Sequence, residues 1–136
     1  MEKNYSQLDN PTIHQTYDYA NFLKNNEKFK KSIKYYSKLI NKISSAHELY
    51  PKAKDGRGIA YEQTGEWKKA EKDFLSSLKA KPNQAYVMNY LAYSWLDREV
   101  NIPKALKLLI RAVEIEPTDA YIRDSLGWAY YLAKNF

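Results

Sequence analysis

An all-α chain of about seven helices, paired into helix-turn-helix hairpins stacked side by side, is what this 136-residue sequence predicts. Three observations carry the expectation. A small residue followed three positions later by an aromatic recurs, in KDGRGIAY at 54–61, MNYLAYSW at 88–95 and RDSLGWAY at 123–130. Its small members Gly58, Ala92 and Gly127 stand 34 and then 35 residues apart, a period that accommodates one two-helix unit. Proline, glycine and asparagine fall between the apolar-periodic stretches, and no segment alternates polar and apolar for long enough to argue for a strand.

The first helix is expected near 11–25, where Asn10-Pro11 reads as an N-cap followed by a first-turn proline. The second is expected near 28–43. A long joint at Ser44–Glu48 leads to the third, near 48–64, which Gly65 can end in the left-handed conformation. Trp67 opens the fourth, near 67–80. Pro82-Asn83 stops it and caps the fifth, near 84–97. Asn101-Ile102-Pro103 starts the sixth, near 102–115, and Pro117-Thr118 precedes the seventh, near 119–133.

Small residues at a crossing let two helix axes approach to about 8–10 Å. Gly58 is therefore expected to face Ala70, and Ala92 to face Ala105, with Tyr61 and Phe74, and Trp95 and Leu109, filling the space beside them. Ala60, Ser94 and Ala129 share a further offset that suits close stacking of hairpins. A weaker copy comes first: Ala20, Leu23, Phe29, Ser32 and Tyr36 hold the offsets of Gly58, Tyr61, Trp67, Ala70 and Phe74. Residues 1–10 then read as an N-terminal tail and 11–136 as one array, with units at about 13–50, 51–84, 85–119 and a half unit at 120–136.

This period and pattern resemble the tetratricopeptide repeat. The tryptophan that often opens that motif is replaced by Thr16, Lys54, Met88 and Arg123. Residues 83–132 go further and resemble multi-repeat bacterial proteins, commonly alphaproteobacterial, that continue with more repeats. The last helix agrees with such a longer parent. Leu126, Trp128, Tyr130, Tyr131 and Leu132 make it apolar nearly all round, whereas terminal helices of such arrays carry a polar outer face. Phe136 falls where Trp67 and Phe29 fall. The expectation is a fragment of a longer array; the alternative is self-association through this C-terminal edge.

Composition excludes much chemistry. Apolar residues make up 44% and aromatics 15%, so a core can form. Cysteine is absent, and His14 and His47 alone cannot make a His-rich metal site. No cofactor and no metal are expected. The four glycines form no phosphate loop; Gly56-Arg57-Gly58 reads as helix packing. Acidic pairs such as Glu62 with Glu66 lack a matched acid–base neighbour, so the chain is not read as an enzyme. No stretch of 18 apolar residues offers a membrane span, and MEKNYSQLDNP lacks the apolar run of a signal peptide. The default compartment is the cytoplasm, although a longer parent of the resembled type can be exported.

The net charge of +6 is concentrated. Seven lysines between 24 and 42 face Glu27 alone, and Lys30, Lys34 and Lys38 align in one helical stripe. Such a stripe is usually a solvated face; its functional reading is weak binding of a polyanion or an anionic surface. No aromatic is expected to interleave on that face, as single-strand binders require, so nucleic acid is not the expected partner.

The resemblance implies a right-handed superhelix whose first helices line a concave groove. The lining positions it implies include Tyr17 and Asn21, then Lys52 and Asp55, then Tyr86, Asn89 and Tyr93, then Tyr121, Asp124 and Trp128. Tyrosine buries area and keeps a polar tip, and an asparagine amide both donates and accepts, so an extended peptide suits this surface. The expected function is a protein-interaction scaffold holding an unidentified protein or peptide. One known use of the family, gripping a chaperone's C-terminal carboxylates, needs Lys and Asn in the first unit, Asn in the second, and Lys and Arg in the third. Tyr17 and Asn21, Gly56, and Tyr86 and Tyr90 stand there. Only Asn21 fits, so a tail clamp is not expected.

Overall fold

The computed structural model of the chain describes Tyr5 and residues 7–134. Among these the regular structure is seven α-helices: α1 Ile13–Asn25, α2 Phe29–Ile40, α3 Tyr50–Gln63, α4 Trp67–Ala80, α5 Ala85–Asp97, α6 Ile102–Ile115 and α7 Ala120–Lys134. The chain divides into two compact units, one ending at Ala80 and one beginning at Lys81. In the first, α1 pairs with α2 and α3 with α4, while α2 lies against α3 and α1 reaches α3. In the second, α5 pairs with α6, and α7 packs on α6 and touches α5.

The turns inside the three hairpins have the same chemistry. Glu27, Gly65 and Glu99 all adopt positive φ, at 59°, 82° and 54°. In each turn the next residue's N–H returns to a carbonyl five residues back: Lys28 to Leu23, Glu66 to Tyr61 and Val100 to Trp95, at 2.8, 2.9 and 3.0 Å. The left-handed residue itself donates to Lys24, Glu62 or Leu96. These paired bonds satisfy the orphan carbonyls of the first helix and reverse the chain.

The caps differ from the sequence expectation. Thr12, not Asn10, caps α1: its side chain accepts from Gln15 N–H at 3.1 Å, and Gln15 Oε1 accepts from Thr12 N–H at 2.8 Å. Gln84 stands at the N-cap of α5 without a side-chain capping bond; its amide nitrogen donates instead to Lys81 O at 2.7 Å. Asp119, rather than Thr118, accepts from Ile122 N–H at 3.0 Å at the start of α7. Asn83 instead accepts from the Arg111 guanidinium at 2.9 Å. A capping oxygen must reach the second or third N–H of its helix, and Asn10, Asn83 and Thr118 stand one or two positions too early to do so. At α6 the expected Asn101 is in place, in the left-handed conformation that asparagine tolerates.

Burial follows the repeat offsets. Ala20, Leu23, Ser32, Tyr36, Ala70 and Phe74 are buried in the first unit, and Ala92, Trp95, Ala105, Leu109 and Ala129 in the second. Burying each leucine-sized side chain contributes roughly 1.5–3 kcal/mol. Gly58 makes its close approach to Phe74, one turn beyond the Ala70 expected there: a Cβ at 58 would lie 2.7 Å from the ring. Gly56 does the same against Tyr36, at 2.5 Å. Gly127 has no atom within 4 Å of its would-be Cβ. The expectation for Phe136 lies outside the described residues.

Candidate functional site

In the second unit, helical spacing brings five of the expected lining residues to one cleft. Asn89 and Tyr93 are one turn apart on α5. Tyr121, Asp124 and Trp128 follow on one side of α7, with Ser125 among them. Together they line a space of about 250 Å³. The Tyr93 and Trp128 rings meet edge to face, with centroids 5.3 Å apart. Tyr93 is 50% exposed and Tyr121 80%, so both rings present apolar area to solvent. Asn89 Oδ1 is buried and has no hydrogen-bond partner. An unpaired buried acceptor costs about 1–3 kcal/mol, which a donor entering the cleft would recover. The cleft thus offers aromatic walls, one open acceptor and the exposed carboxylate of Asp124.

Tyr86, the sixth expected lining residue of this unit, does not join the cleft. Its hydroxyl donates to Asp119 Oδ2 at 2.7 Å, so it fastens α5 to the start of α7. That bond holds the Asp119 carboxyl below its ordinary value and raises the Tyr86 phenol.

In the first unit the expected residues meet a polar interior. Tyr36 is fully buried, and its hydroxyl donates to Asn21 Oδ1. The Asn21 carbonyl therefore already has a partner within the unit. Tyr17 leans on the Tyr36 ring at 6.3 Å. Asp55 has a buried oxygen without a hydrogen-bond partner. Burial pushes its carboxyl up to about 6, with Lys24 opposing the shift, while burial lowers Lys24. Lys52 is exposed on α3.

The basic stripe needs one correction. Lys34 and Lys38 carry their ammonium groups 5.6 and 5.3 Å from the centroid of Tyr35, so an aromatic does sit among these lysines. Their stems are long enough to fold back over the neighbouring residue. The Tyr35 ring packs edge-on against Tyr19 at 4.8 Å and Tyr5 at 5.4 Å.

Sequence reasoning missed Ser125, which lies beside Asp124 on the same turn, and the partnership of Tyr36 with Asn21. It also missed a buried ion pair. Arg57 grips Asp73 with two hydrogen bonds of 2.8 Å across α3 and α4. The signal was available: Gly58 and Phe74, which touch, have the same 16-residue spacing as Arg57 and Asp73. Among the described residues no group of three His, Asp or Glu side chains is placed to hold a metal ion. Nor is any described helix long and apolar enough to cross a membrane.

No protein-family model matches the chain. The chain is 31% identical over 75 residues to a TPR repeat-containing protein of Pseudomonas aeruginosa, spanning 55% of this chain and 13% of that protein's length. Among solved structures, the APC/C hetero-tetramer Cut9–Hcn1 superposes with a TM-score of 0.83 at 18% identity, over 94% of this chain and 25% of that one. The first TPR of Spaghetti (RPAP3), bound to an HSP90 peptide, gives 0.77 at 18% identity over 89% and 93%. The Sgt2 TPR domain of Aspergillus fumigatus gives 0.78 at 17% over 92% and 81%. The 34- to 35-residue period, the three like-built hairpins and these likenesses give the chain the helix-turn-helix fold of the tetratricopeptide repeat.

Proposed function

We propose that the protein is a non-enzymatic interaction module that holds an extended peptide of a partner protein in the cleft between α5 and α7. The observation that carries this reading is the unpartnered, buried Asn89 Oδ1 beside the Tyr93 and Trp128 rings. A backbone N–H would fill that acceptor while an apolar side chain of the peptide covers the rings. Asp124 favours a basic group nearby. The RPAP3 domain, similar in fold, holds an HSP90 peptide, which supports a peptide as the ligand class. The carboxylate-gripping residues are missing here apart from Asn21, so the ligand differs from a chaperone tail.

The test is to select displayed 12-residue peptides on the protein and measure their affinity for variants. Trp128→Ala and Asn89→Leu are each expected to weaken a selected peptide at least tenfold, about 1.4 kcal/mol, with unchanged helical circular dichroism. Peptides whose amide shifts cluster on the outer face of α2 would sink the reading.

A second reading has its own observation. On α7, Tyr130 is 52% and Tyr131 65% exposed, and Gly127 is open. This face suits a second copy of the chain. Sedimentation equilibrium is then expected to show a dimer, and a monomer at high concentration disposes of it.

A further inference from the structure

We propose that a basic pocket between α3 and α4 binds a phosphoryl group. Lys54 and Arg57 lie one turn apart on α3. Lys69, Lys72, Asp73 and Ser76 lie at i, i+3, i+4 and i+7 on the facing side of α4. The two stripes enclose about 260 Å³, room for a phosphoryl group and part of its carrier.

Charge in the pocket is unbalanced. Asp73, the single acid of the lining, is 3% exposed. Both its oxygens are used by Arg57, Nε to Oδ2 and Nη2 to Oδ1, each at 2.8 Å. A further guanidinium donor goes to Ser37 Oγ at 3.0 Å. That pair neutralises itself. Lys69 is matched by Glu66 at 2.8 Å. Lys54 Nζ shares Asp73 with Arg57 as a longer ion pair, 3.6 Å from Oδ1, and lies 5.5 Å from the Tyr50 ring centroid, with its side chain 14% exposed, so one carboxylate serves two cations. Lys72 finds no second acid in the lining. Arg57, Lys54 and Lys72 therefore face the one carboxylate of Asp73, with two positive charges in surplus.

The chemistry selects the ligand. A partly desolvated ammonium is costly until an anion meets it. Two surplus charges match a dianion better than a single carboxylate. Ser76 adds a hydroxyl donor, and a phosphoryl group has three acceptor oxygens for such a set. The repeat pattern would place Trp at 54 and Leu at 57, so this cationic pocket replaces what that pattern makes apolar. The inference stands apart from the peptide reading, since no pocket residue belongs to the α5–α7 cleft.

The experiment is an NMR titration of the full ¹⁵N-labelled chain at constant ionic strength. The probes are inorganic phosphate, a capped Gly-phosphoserine-Gly tripeptide and its unphosphorylated twin. Saturable amide shifts are expected on α3 and α4 around Lys54, Arg57, Lys72 and Ser76 with the phosphorylated probes and not with the twin. Tighter binding of the phosphopeptide identifies a phosphorylated protein as the source; tighter binding of phosphate identifies a free small anion. The double variant Lys54→Gln, Lys72→Gln leaves the Arg57–Asp73 pair in place and is expected to weaken binding at least tenfold. It should leave circular dichroism and the affinity of cleft-selected peptides unchanged. Absence of saturable shifts, shifts confined to Lys30, Lys34 and Lys38, or undiminished affinity in the double variant would overturn the proposal.

Discussion

Gly56, Gly58 and Gly127 occupy helices, where glycine costs about 1 kcal/mol relative to alanine. Only the first two have a reason to be there. A methyl at 56 would enter the Tyr36 ring, which is fully buried and tied through its hydroxyl to Asn21; a methyl at 58 would enter the Phe74 ring. Overpacking of this kind typically costs 1–3 kcal/mol, more than the propensity returns. Gly56→Ala and Gly58→Ala are expected to lower stability by about 1–2 kcal/mol, and Gly127→Ala to raise it by up to about 1 kcal/mol, in urea denaturation. The same ordering for all three glycines would contradict the packing described. That Gly58 marks a close approach is legible in its place in the motif. That the Phe74 ring is what a methyl at 58 would meet first depends on how the two helices slide along each other.

Asp55 makes a separate prediction. Its carboxyl titrates near 3.8 when unfolded and near 6 when folded, because burial disfavours its charge. Between these values the folded chain keeps a proton that the unfolded chain has released. Stability is therefore lost as pH rises through this window, by about 1–2 kcal/mol after allowance for its partial exposure. Asp55→Asn, neutral at every pH, is expected to exceed the parent by that amount at pH 7.5 and by much less at pH 4. An equal difference at both values would refute the assignment. The sequence placed Asp55 on the first-helix face, but the missing partner of its oxygen appears only once α1, α2 and α3 have packed.

At the scale of the element, one turn is built three times with different residues. Gly65 adopts the left-handed conformation at no steric cost, whereas Glu27 and Glu99 adopt it at roughly 1 kcal/mol each. Both glutamates are exposed. Glu27→Gly and Glu99→Gly are each expected to stabilise the chain by about 0.5–1 kcal/mol, read as a rise in thermal midpoint. Destabilisation by either would mean that its carboxylate makes a contact worth more than the strain. Glycine made the Gly65 turn readable in advance. The glutamate turns were not, because their conformation is imposed by the bonds closing the helix end and not by their own preference. The caps follow the same rule: Thr12 with Gln15 is a capping-box pattern, yet Asn10-Pro11 offered a competing start two residues earlier.

At the scale of the molecule, the period of 34 to 35 residues by itself determined the helical class, the order and approximate limits of seven helices, the hairpin pairs and most of the buried positions. That is possible because burial in paired helices repeats with the backbone, and a one-dimensional rhythm records it. The family resemblance, and not the period, implied that Asn89, Tyr93, Tyr121, Asp124 and Trp128 share a surface, and they line one cleft. Only the tertiary structure decided which polar groups find partners. Tyr86 turns to Asp119, Tyr36 to Asn21 and Arg57 and Lys54 to the one carboxylate of Asp73, while Asn89 Oδ1 is left open. Hydrogen bonds form or fail over a few tenths of an ångström, between side chains that the folded helices bring together from separate parts of the sequence, and no spacing along the chain encodes that distance.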